Sequence, residues 1–184
     1  TEFASFYRNM GADVTLVEVA QRILPVEDEE ISQLARKAFE KQGIRILTGA
    51  QVGTLQKTAT EVHIPVTLGD KTETLVADRV ISAVGIVGNV ENIGLEGTKI
   101  QVDRTHVVTD ALCRTGEPGV YAIGDLAGAP WLAHKASHEA VMCVEAIAGK
   151  TVHPIDPTKV PGCTYCRPQI ASVGYTEAKA KEAG

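Results

Sequence analysis

The chain has 184 residues, of which 44% are hydrophobic and 22% charged, and its formal net charge is -5. This balance supports a buried core, and the acidic charge gives no indication of a nucleic acid or an anionic membrane as a partner. Aromatic residues make up only 4% of the chain, too few for platforms that stack single-stranded bases, and no apolar run approaches the ~20 residues that span a bilayer.

The first 50 residues alternate between helical and strand-like patterns. Apolar residues recur at helical spacing over residues 3–10, and Gly11 then ends the helix. The run ADVTLVEV (12–19) is rich in β-branched residues, which is typical of a buried parallel strand. Residues 28–44 predict an amphipathic helix, and IRILTG (44–49) predicts the next strand. The apolar face of that helix is predicted to comprise Ile31, Leu34, Ala38 and Phe39.

The rest of the chain adds further strands and two more helices. From residue 52 to 75, alternating runs predict an antiparallel meander. ADRVISAVGIVGN (77–89) predicts a buried strand ending in a glycine-rich turn, and VYAIGDLAGAP (120–130) predicts a strand entering a Gly/Pro-rich loop. Residues 132–150 predict a helix, and residues 169–184 predict a strand and a final helix. Together they predict an α/β fold: a mostly parallel sheet with helices, plus the antiparallel meander.

The two ends of the sequence favour a longer parent protein. It opens TEFASFYRNMG, with no initiator Met or leader, and it closes TEAKAKEAG, a helix with no following element to pack against. We therefore expect the chain to be a fragment.

Glu18 closes the predicted strand at 12–19. In a dinucleotide-binding βαβ unit, an acid about 20 residues after the glycine turn accepts hydrogen bonds from the adenine ribose, and its charge disfavours a 2′-phosphate. The glycine turn itself is not in the chain. Two interpretations of Glu18 therefore remain: a ribose ligand that selects NAD over NADP, or a solvated acid at a strand end.

A second candidate site lies at the end of the strand predicted from residue 120. Gly124 allows close approach of another backbone or a cofactor, and Asp125 can accept hydrogen bonds from vicinal hydroxyls. The alternative is an aspartate that only caps a turn. PWLAHKA (130–136) then opens a helix, whose unpaired N–H groups favour a negatively charged group.

Two pairs of side chains have the spacing of metal ligands. His134 and His138 are four residues apart on a predicted helix, and Cys163 and Cys166 form a C-x-x-C pair. No further ligand cluster is apparent, because the other two cysteines, Cys113 and Cys143, are isolated, so we predict no metal site. A redox C-x-x-C normally lies at a helix N-terminus, whereas a Pro and a predicted strand follow this one. The pair is predicted to be incidental, and the four thiols to be reduced.

Three segments resemble the flavin-dependent pyridine nucleotide–disulfide oxidoreductases. EFASFYRNMGADVTLVEVAQRILPVEDEEI resembles their NAD domain after its glycine turn, and VYAIGDLAGAPWLAHKASHEA resembles the segment that closes around FAD. PGCTYCRPQIASVGYTEAKAKEAG resembles the opening of their dimer-interface domain, and AIGD with LAHKA is similar to the dihydrolipoamide dehydrogenase branch. The resemblance implies an NAD-binding domain at 1–84, without its first strand and glycine turn. It also implies a central FAD-contacting segment at 85–155 and the start of a dimer-interface domain at 156–184.

The resemblance also implies contacts with NAD and FAD. Glu2 matches an acid near the nicotinamide and flavin, and Glu18 matches the ribose-binding acid. Val52 matches a position that lines the adenine, and Gly85 matches a glycine beside the nicotinamide half. Asp125 matches the acid on the ribityl and diphosphate side of FAD. The stretch whose backbone meets the flavin in the family matches Trp131, Leu132, Ala133 and His134.

The chain also departs from the family pattern. Many relatives read G-R-x-P-N where this chain reads GIVGN, so Ile86 and Gly88 replace Arg and Pro. Any nucleotide contact of that Arg is therefore not expected here. Cys166 stands where Thr is usual, and Gln169 stands where Glu is usual.

The resemblance implies a flavoenzyme that oxidises dihydrolipoamide. In the family, electrons pass to a C-x-x-x-x-C disulfide, then to FAD, then as hydride to NAD, and a His–Glu pair acts in the thiol step. The disulfide and the His–Glu pair lie outside these residues, so no catalytic residue is assigned and the chain alone is expected to be inactive. It would be an internal piece, without the N-terminal FAD domain and most of the dimer-interface domain.

The resemblance further implies partners and a compartment for the parent protein. It implies a homodimer that serves the lipoyl-bearing acyltransferase of a 2-oxo acid dehydrogenase complex, or the glycine cleavage system. The expected compartment is the cytoplasm of a bacterium or the mitochondrial matrix.

Other functions remain open. The sister enzymes are mercuric ion reductase, glutathione reductase and soluble transhydrogenase. Glu18 disfavours NADPH users, whose 2′-phosphate site needs an Arg, and LAHKA favours the lipoamide branch over glutathione reductase. A different class is a non-catalytic α/β binding or assembly module, which a C-x-x-x-x-C before the chain and an H-x-x-x-x-E after it would exclude.

Overall fold

Helices and strands alternate at the start of the computed structural model, which describes all residues from Thr1 to Gly184. Helix α1 (Glu2–Asn9) precedes strand β1 (Thr15–Glu18), and helix α2 (Glu29–Lys41) precedes strand β2 (Arg45–Thr48). β1 and β2 pair in parallel, with Glu18 opposite Thr48 at their carboxyl ends. The predicted helix–strand alternation is confirmed over this stretch.

Helix α2 provides the largest part of the core beside β1 and β2. Its first turn carries Glu29 and Glu30, whose charges favour the positive end of the helix dipole. Phe39 is fully buried among Ile23, Ile44 and Ile46. The predicted apolar face was partly wrong, because Ile31 and Leu34 are 38% and 55% exposed. The buried face instead runs through Ser32, Ala35 and Phe39, which follow i, i+3 and i+7 spacing.

The predicted antiparallel meander is confirmed. It comprises β3 (Ala50–Val52), β4 (Gln56–Lys57), β5 (Val62–Leu68) and β6 (Lys71–Ala77), and β5 pairs antiparallel with the other three. β5 and β6 meet through a two-residue turn, in which Gly69 has a φ of 59°. Ile64 and Val66 are buried on one face of β5 with Ala50. The fold is thus mixed α/β, with parallel and antiparallel strands.

The buried strand predicted at 77–89 is not formed as expected. No strand covers residues 78–89, and most of their side chains are exposed, including Val84 at 96%. An apolar run forms a strand only beside a paired neighbour, and no strand of the chain pairs with this one. Gly88 is buried within it: its N–H donates to Thr105 Oγ1 at 3.2 Å, and a Cβ there would lie 2.0 Å from the Thr105 carbonyl oxygen.

Residues Val84–Gly162 pack as a unit of their own. It holds the short strands β7 (Val102–Asp103) and β8 (His106–Val107), a 3-10 helix at Gly124–Ala127, helix α3 (Ala133–Ile147) and a 3-10 turn at Pro157–Lys159. The strand predicted from residue 120 is reduced to one bridge between Arg114 and Tyr121, because no long neighbour lies beside it. Cys113, Met142 and Cys143 form the core of this unit.

The last segment packs with the beginning of the chain. β9 (Gly162–Thr164) and β10 (Ile170–Ser172) form a two-stranded sheet, and α4 (Glu177–Ala183) follows. Thr1–Ala83 and Cys163–Gly184 together form the other compact unit, in which Cys166 and Ile170 join the core around Phe39. None of the helices combines the length and apolar character that crossing a membrane requires. The functional division into residues 1–84, 85–155 and 156–184 stays a prediction.

Candidate functional site

Glu18 lies at the carboxyl end of β1, the edge at which parallel α/β sheets bind ligands. Its side chain is half-buried, and its Oε1 accepts a hydrogen bond from the Ala20 N–H at 2.8 Å. This bond fixes the direction of the carboxylate, and its second oxygen can accept from a ligand hydroxyl. The carboxylate is thus oriented by a local backbone hydrogen bond, and a ribose-binding role for Glu18 stays a prediction.

The other residues matched to the NAD site have different surroundings, and only Val52 and Glu2 lie in the same unit as Glu18. Val52 ends β3 with a half-exposed side chain. Glu2 begins α1, and its Oε1 accepts a hydrogen bond from the Tyr165 N–H at 2.6 Å. Gly85, in the second unit, is exposed and has a φ of 131°, a conformation that favours glycine. Glu2 therefore has a structural hydrogen bond in addition to its predicted cofactor contact.

Asp125 lies in the first turn of the 3-10 helix Gly124–Ala127, directly after a glycine with a φ of 71°. Its side chain is exposed and makes no hydrogen bond or ion pair within the protein. The carboxylate is therefore free to accept hydrogen bonds from an external group. A residue that merely capped the turn would accept the N–H two or three residues on, and here the Gly128 N–H donates to the Asp125 carbonyl instead.

The residues matched to the flavin contact lie where α3 begins. They are Trp131, Leu132, Ala133 and His134, and the first turn of α3 carries no acid. The helix therefore presents its positive end without a competing side chain, which suits an anionic group. His134 is exposed, and its Nε2 lies 2.8 Å from the Pro161 carbonyl oxygen.

Sequence reasoning missed His106, which contacts the sole tryptophan. The Trp131 indole N–H donates to His106 Nε2 at 3.2 Å, and the two rings tilt against each other with centroids 5.8 Å apart. Both side chains line a hollow in the second unit beside Val87, Thr105 and Gly128. No local pattern could have found this contact, because the two residues are 25 positions apart.

The structure gives the C-x-x-C pair no thiolate activation. Cys163 is exposed, whereas Cys166 is buried and its Sγ donates to the Pro168 carbonyl at 3.1 Å. Burial raises the pKa of the Cys166 thiol above its usual value. Strand β10 follows the pair, so no helix N-terminus lies beside it to favour a thiolate. No group of three His, Cys, Asp or Glu side chains in the chain is arranged to hold a metal ion.

Comparison with known proteins gives the family. Residues 1–140 match the family described as pyridine nucleotide-disulphide oxidoreductase. The chain belongs to this family. The predicted resemblance to the flavin-dependent pyridine nucleotide–disulfide oxidoreductases is confirmed.

Relatives within the oxidoreductase family carry the name dihydrolipoyl dehydrogenase. The protein from Rhizobium etli is 58% identical over 185 aligned residues, and the one from Bacillus subtilis is 43% identical. Each match covers 100% of this chain but only 38% and 39% of the relative, respectively. The chain therefore spans about two fifths of the length of these relatives.

Two solved structures agree with the fold. LpdA from Mycobacterium tuberculosis superposes with a TM-score of 0.89 at 27% identity, covering 99% of this chain and 39% of that one. The HOCl-induced flavoprotein disulfide reductase RclA from Escherichia coli superposes with a TM-score of 0.86 at 27% identity, covering 99% of this chain and 41% of that one.

Proposed function

We propose that the chain is a section of a flavoenzyme that oxidises dihydrolipoamide to lipoamide and reduces NAD through a redox disulfide and FAD. The observation that carries this proposal is the 58% identity, over the whole chain, to a dihydrolipoyl dehydrogenase. None of the four cysteines forms a C-x-x-x-x-C pair with another. The chain alone is therefore proposed to have no dehydrogenase activity.

The residues of the second unit fit FAD. Asp125 offers an exposed carboxylate that no protein group occupies, next to a glycine that a cofactor can approach closely. In this proposal Asp125 accepts hydrogen bonds from the ribityl side, and the backbone from Trp131 to His134 meets the flavin. FAD supplies the exchange of electrons between the disulfide and the nicotinamide. The chain's own contribution is to bind and orient it.

The residues of the first unit fit NAD. The Glu18 carboxylate is held at a strand end by the Ala20 N–H and keeps one oxygen for the ribose hydroxyls. Val52 and Glu2 of this unit are proposed to line the adenine and nicotinamide halves, respectively. Gly85, which belongs to the second unit, is proposed separately as a contact of the nicotinamide half. We accordingly propose residues 1–84 as part of an NAD domain, 85–155 as the FAD-contacting segment and 156–184 as the start of a dimer-interface domain.

The proposal extends to partners. We propose a homodimer whose substrate is the lipoyl group of an acyltransferase in a 2-oxo acid dehydrogenase complex, or of the glycine cleavage system. The proposed compartment is the bacterial cytoplasm or the mitochondrial matrix. Gel filtration of the full-length protein, alone and with a lipoyl domain, tests the proposed homodimer and its binding to the lipoyl partner.

The decisive experiment measures NADH formation from dihydrolipoamide by the full-length protein that contains this chain. NADP in place of NAD is the matched comparison. We expect activity with NAD and little with NADP, because a 2′-phosphate would lie beside the Glu18 carboxylate. The flavin is read from the visible absorbance of the same sample.

A yellow, flavin-loaded protein without this activity would contradict the proposal. The alternative would then be a sister flavoprotein disulfide reductase, and the likeness to RclA supports that class. Mercuric ion, oxidised glutathione and transhydrogenation between NADPH and NAD are the substrates to test next. A protein that binds neither cofactor would favour a non-catalytic binding or assembly module.

A further inference from the structure

The segment from Gly124 to Gly128, here called the Asp125 turn, has a backbone that needs external support. Gly124 has a φ of 71° and Gly128 a φ of 98°, and the residues between them form a 3-10 helix of four residues. Such short 3-10 segments have poor hydrogen-bond geometry of their own. The conformation of the turn therefore depends on the groups packed against it.

Lys135 supplies part of that support from the first turns of α3. Its side chain is only 6% exposed, and its Nζ donates to the Gly124 carbonyl at 3.2 Å and to the Gly128 carbonyl at 2.8 Å. The same Nζ lies 3.1 Å from Glu139 Oε1. The ammonium group therefore donates to two backbone carbonyls and forms an ion pair with the Glu139 carboxylate. One buried cation thus holds both ends of the Asp125 turn.

Glu139 completes the arrangement one helical turn later. Its side chain is 13% exposed, and its Oε2 accepts the Gly124 N–H at 2.7 Å. Gly124 is therefore held through both its N–H and its carbonyl by one ion pair. The packing is close, because a Cβ on Gly124 would lie 3.1 Å from the Ala136 Cβ.

The cost of this ion pair indicates a role other than general stability. A buried ion pair contributes little net stability compared with apolar residues of the same size, because both charges lose their hydration. Its specific effect here is to fix the position of a backbone turn. Asp125, at the start of that turn, keeps an exposed carboxylate that the ion pair does not touch.

We propose that Lys135 and Glu139 are positioning residues that hold the Asp125 turn in the conformation that presents the Asp125 carboxylate to FAD. This inference rests on the proposed function, since it takes FAD as the ligand of Asp125. Neither Lys135 nor Glu139 contacts the cofactor. They act through the Gly124 and Gly128 backbone groups and determine where the carboxylate stands.

The test is a double-mutant cycle in the full-length protein with FAD binding as the readout. The variants are Lys135→Met, Asp125→Asn and the two combined, each stripped of flavin and titrated with FAD. We expect each single change to raise the FAD dissociation constant about tenfold or more. We expect the FAD dissociation constant of the combined variant to be no higher than the higher of the two single-variant values, because Lys135 acts through Asp125.

The matched control is Lys150→Met, which removes an exposed ion pair with Glu145 at 3.1 Å that touches no part of the turn. It should leave the FAD dissociation constant unchanged. If Lys135→Met does not fold, Glu139→Gln, which keeps the size of the side chain, replaces it in the double-mutant cycle with Asp125→Asn. Failure of both variants to fold would assign the pair to the core and overturn the positioning role.

The remaining outcomes separate the two proposals. Additive effects of Lys135→Met and Asp125→Asn would overturn the inference, since a purely structural loss acts independently of the carboxylate. An unchanged FAD dissociation constant in Lys135→Met would overturn it as well. A wild-type full-length protein that binds no FAD would overturn the proposed function, and the inference with it.

Discussion

Glu18 is the residue on which nucleotide selectivity is expected to depend. Glu18→Gln removes the negative charge but keeps the size of the side chain, and hydrogen bonds to charged groups contribute about 1.5–3 kcal/mol. We expect the NAD dissociation constant of the full-length protein to rise about 10- to 100-fold, since each 1.4 kcal/mol is about tenfold. We also expect weaker discrimination against NADP. Titration with both nucleotides measures the two effects.

Glu30→Gln is the matched control for this substitution. Glu30 is exposed in the first turn of α2 and makes no hydrogen bond or ion pair through its side chain. Glu30→Gln should leave the dissociation constants of NAD and of NADP unchanged. If Glu18→Gln also leaves them unchanged, Glu18 is a strand-end acid without contact to the ribose.

The four cysteines should differ strongly in reactivity. Burial, together with the nearby Glu139 charge, raises the pKa of the Cys113 thiol from 9.0 to about 11, and burial raises that of Cys166. The thiolate is the reactive form, so both should alkylate slowly at roughly pH 8. Cys163 is exposed and should react first. Mass spectrometry after brief iodoacetamide treatment of the native 184-residue protein measures the order.

The raised pKa of Cys113 also sets the direction of a pH effect. The folded protein holds this thiol proton more tightly than the unfolded chain does. The contribution of Cys113 to the free energy of unfolding is therefore fully present below pH 9.0 and is lost as the pH rises through about 11.

Alkylation in urea provides the control for the order of cysteine reactivity, since all four thiols should then react alike. Preferential labelling of Cys113 in the native protein would contradict the burial described above.

Sequence alone located single residues but not their distant contacts. The local sequence pattern predicts Glu18 at the end of a strand, and Glu18 is the last residue of β1. The Trp131–His106 contact and the hold of Lys135 on Gly124 depend on how the chain folds back on itself. Nothing in a local window encodes such a contact. The ligand roles of the residues matched to the cofactor sites stay predictions.

At the scale of elements, α2 is fastened to the preceding loop by Ser32. Its hydroxyl donates to the Ile23 carbonyl, and both residues are almost fully buried. Ser32→Ala leaves that carbonyl without its donor, which costs about 1–3 kcal/mol. We expect the free energy of unfolding of the 184-residue protein to fall by this amount. Urea unfolding followed by circular dichroism measures it.

Ser137→Ala is the control on α3. Ser137 is exposed and donates only to the Ala133 carbonyl of its own helix at 3.1 Å. Alanine has the higher helix propensity, so this change should cost little or be slightly stabilising. If Ser32→Ala and Ser137→Ala lowered the free energy of unfolding equally, the buried Ser32 hydrogen bond would stabilise the fold no more than the exposed Ser137 bond does.

Helices were predicted better than strands, for a physical reason. A helix makes its hydrogen bonds within one segment, so α1, α2, α3 and α4 follow from spacing and glycine stops. A strand needs a neighbour, which a local pattern does not supply. The apolar run at 77–89 and the one at 120–123 therefore looked like strands in sequence and do not form ladders here.

At the scale of the molecule, the last segment stabilises the first. Ile170 is 8% exposed and lies in the core with Ile23, Phe39 and Ile44. Ile170→Ala removes buried methylene groups and costs about 2–5 kcal/mol. We expect faster amide hydrogen exchange in residues 1–50 of the 184-residue protein, more than 100 positions away, and little change in residues 84–162. Mass spectrometry of peptic fragments measures both regions.

Val173→Ala serves as the comparison, because Val173 is 63% exposed on the same segment. It should change exchange in neither region. If Ile170→Ala accelerated exchange only in residues 163–184, the segment would be an appendage and not a part of that core.

The contact between Gly88 and Thr105 restricts which residues position 88 accepts. The Gly88 N–H is bonded to the Thr105 hydroxyl, and the position of a Cβ on Gly88 is filled by the Thr105 carbonyl oxygen. Proline has neither that N–H nor room for its ring. Gly88→Pro is therefore excluded unless the loop at residue 105 also changes. Positions 88 and 105 are thus coupled, and the cost of a proline at position 88 depends on the conformation of the loop at residue 105.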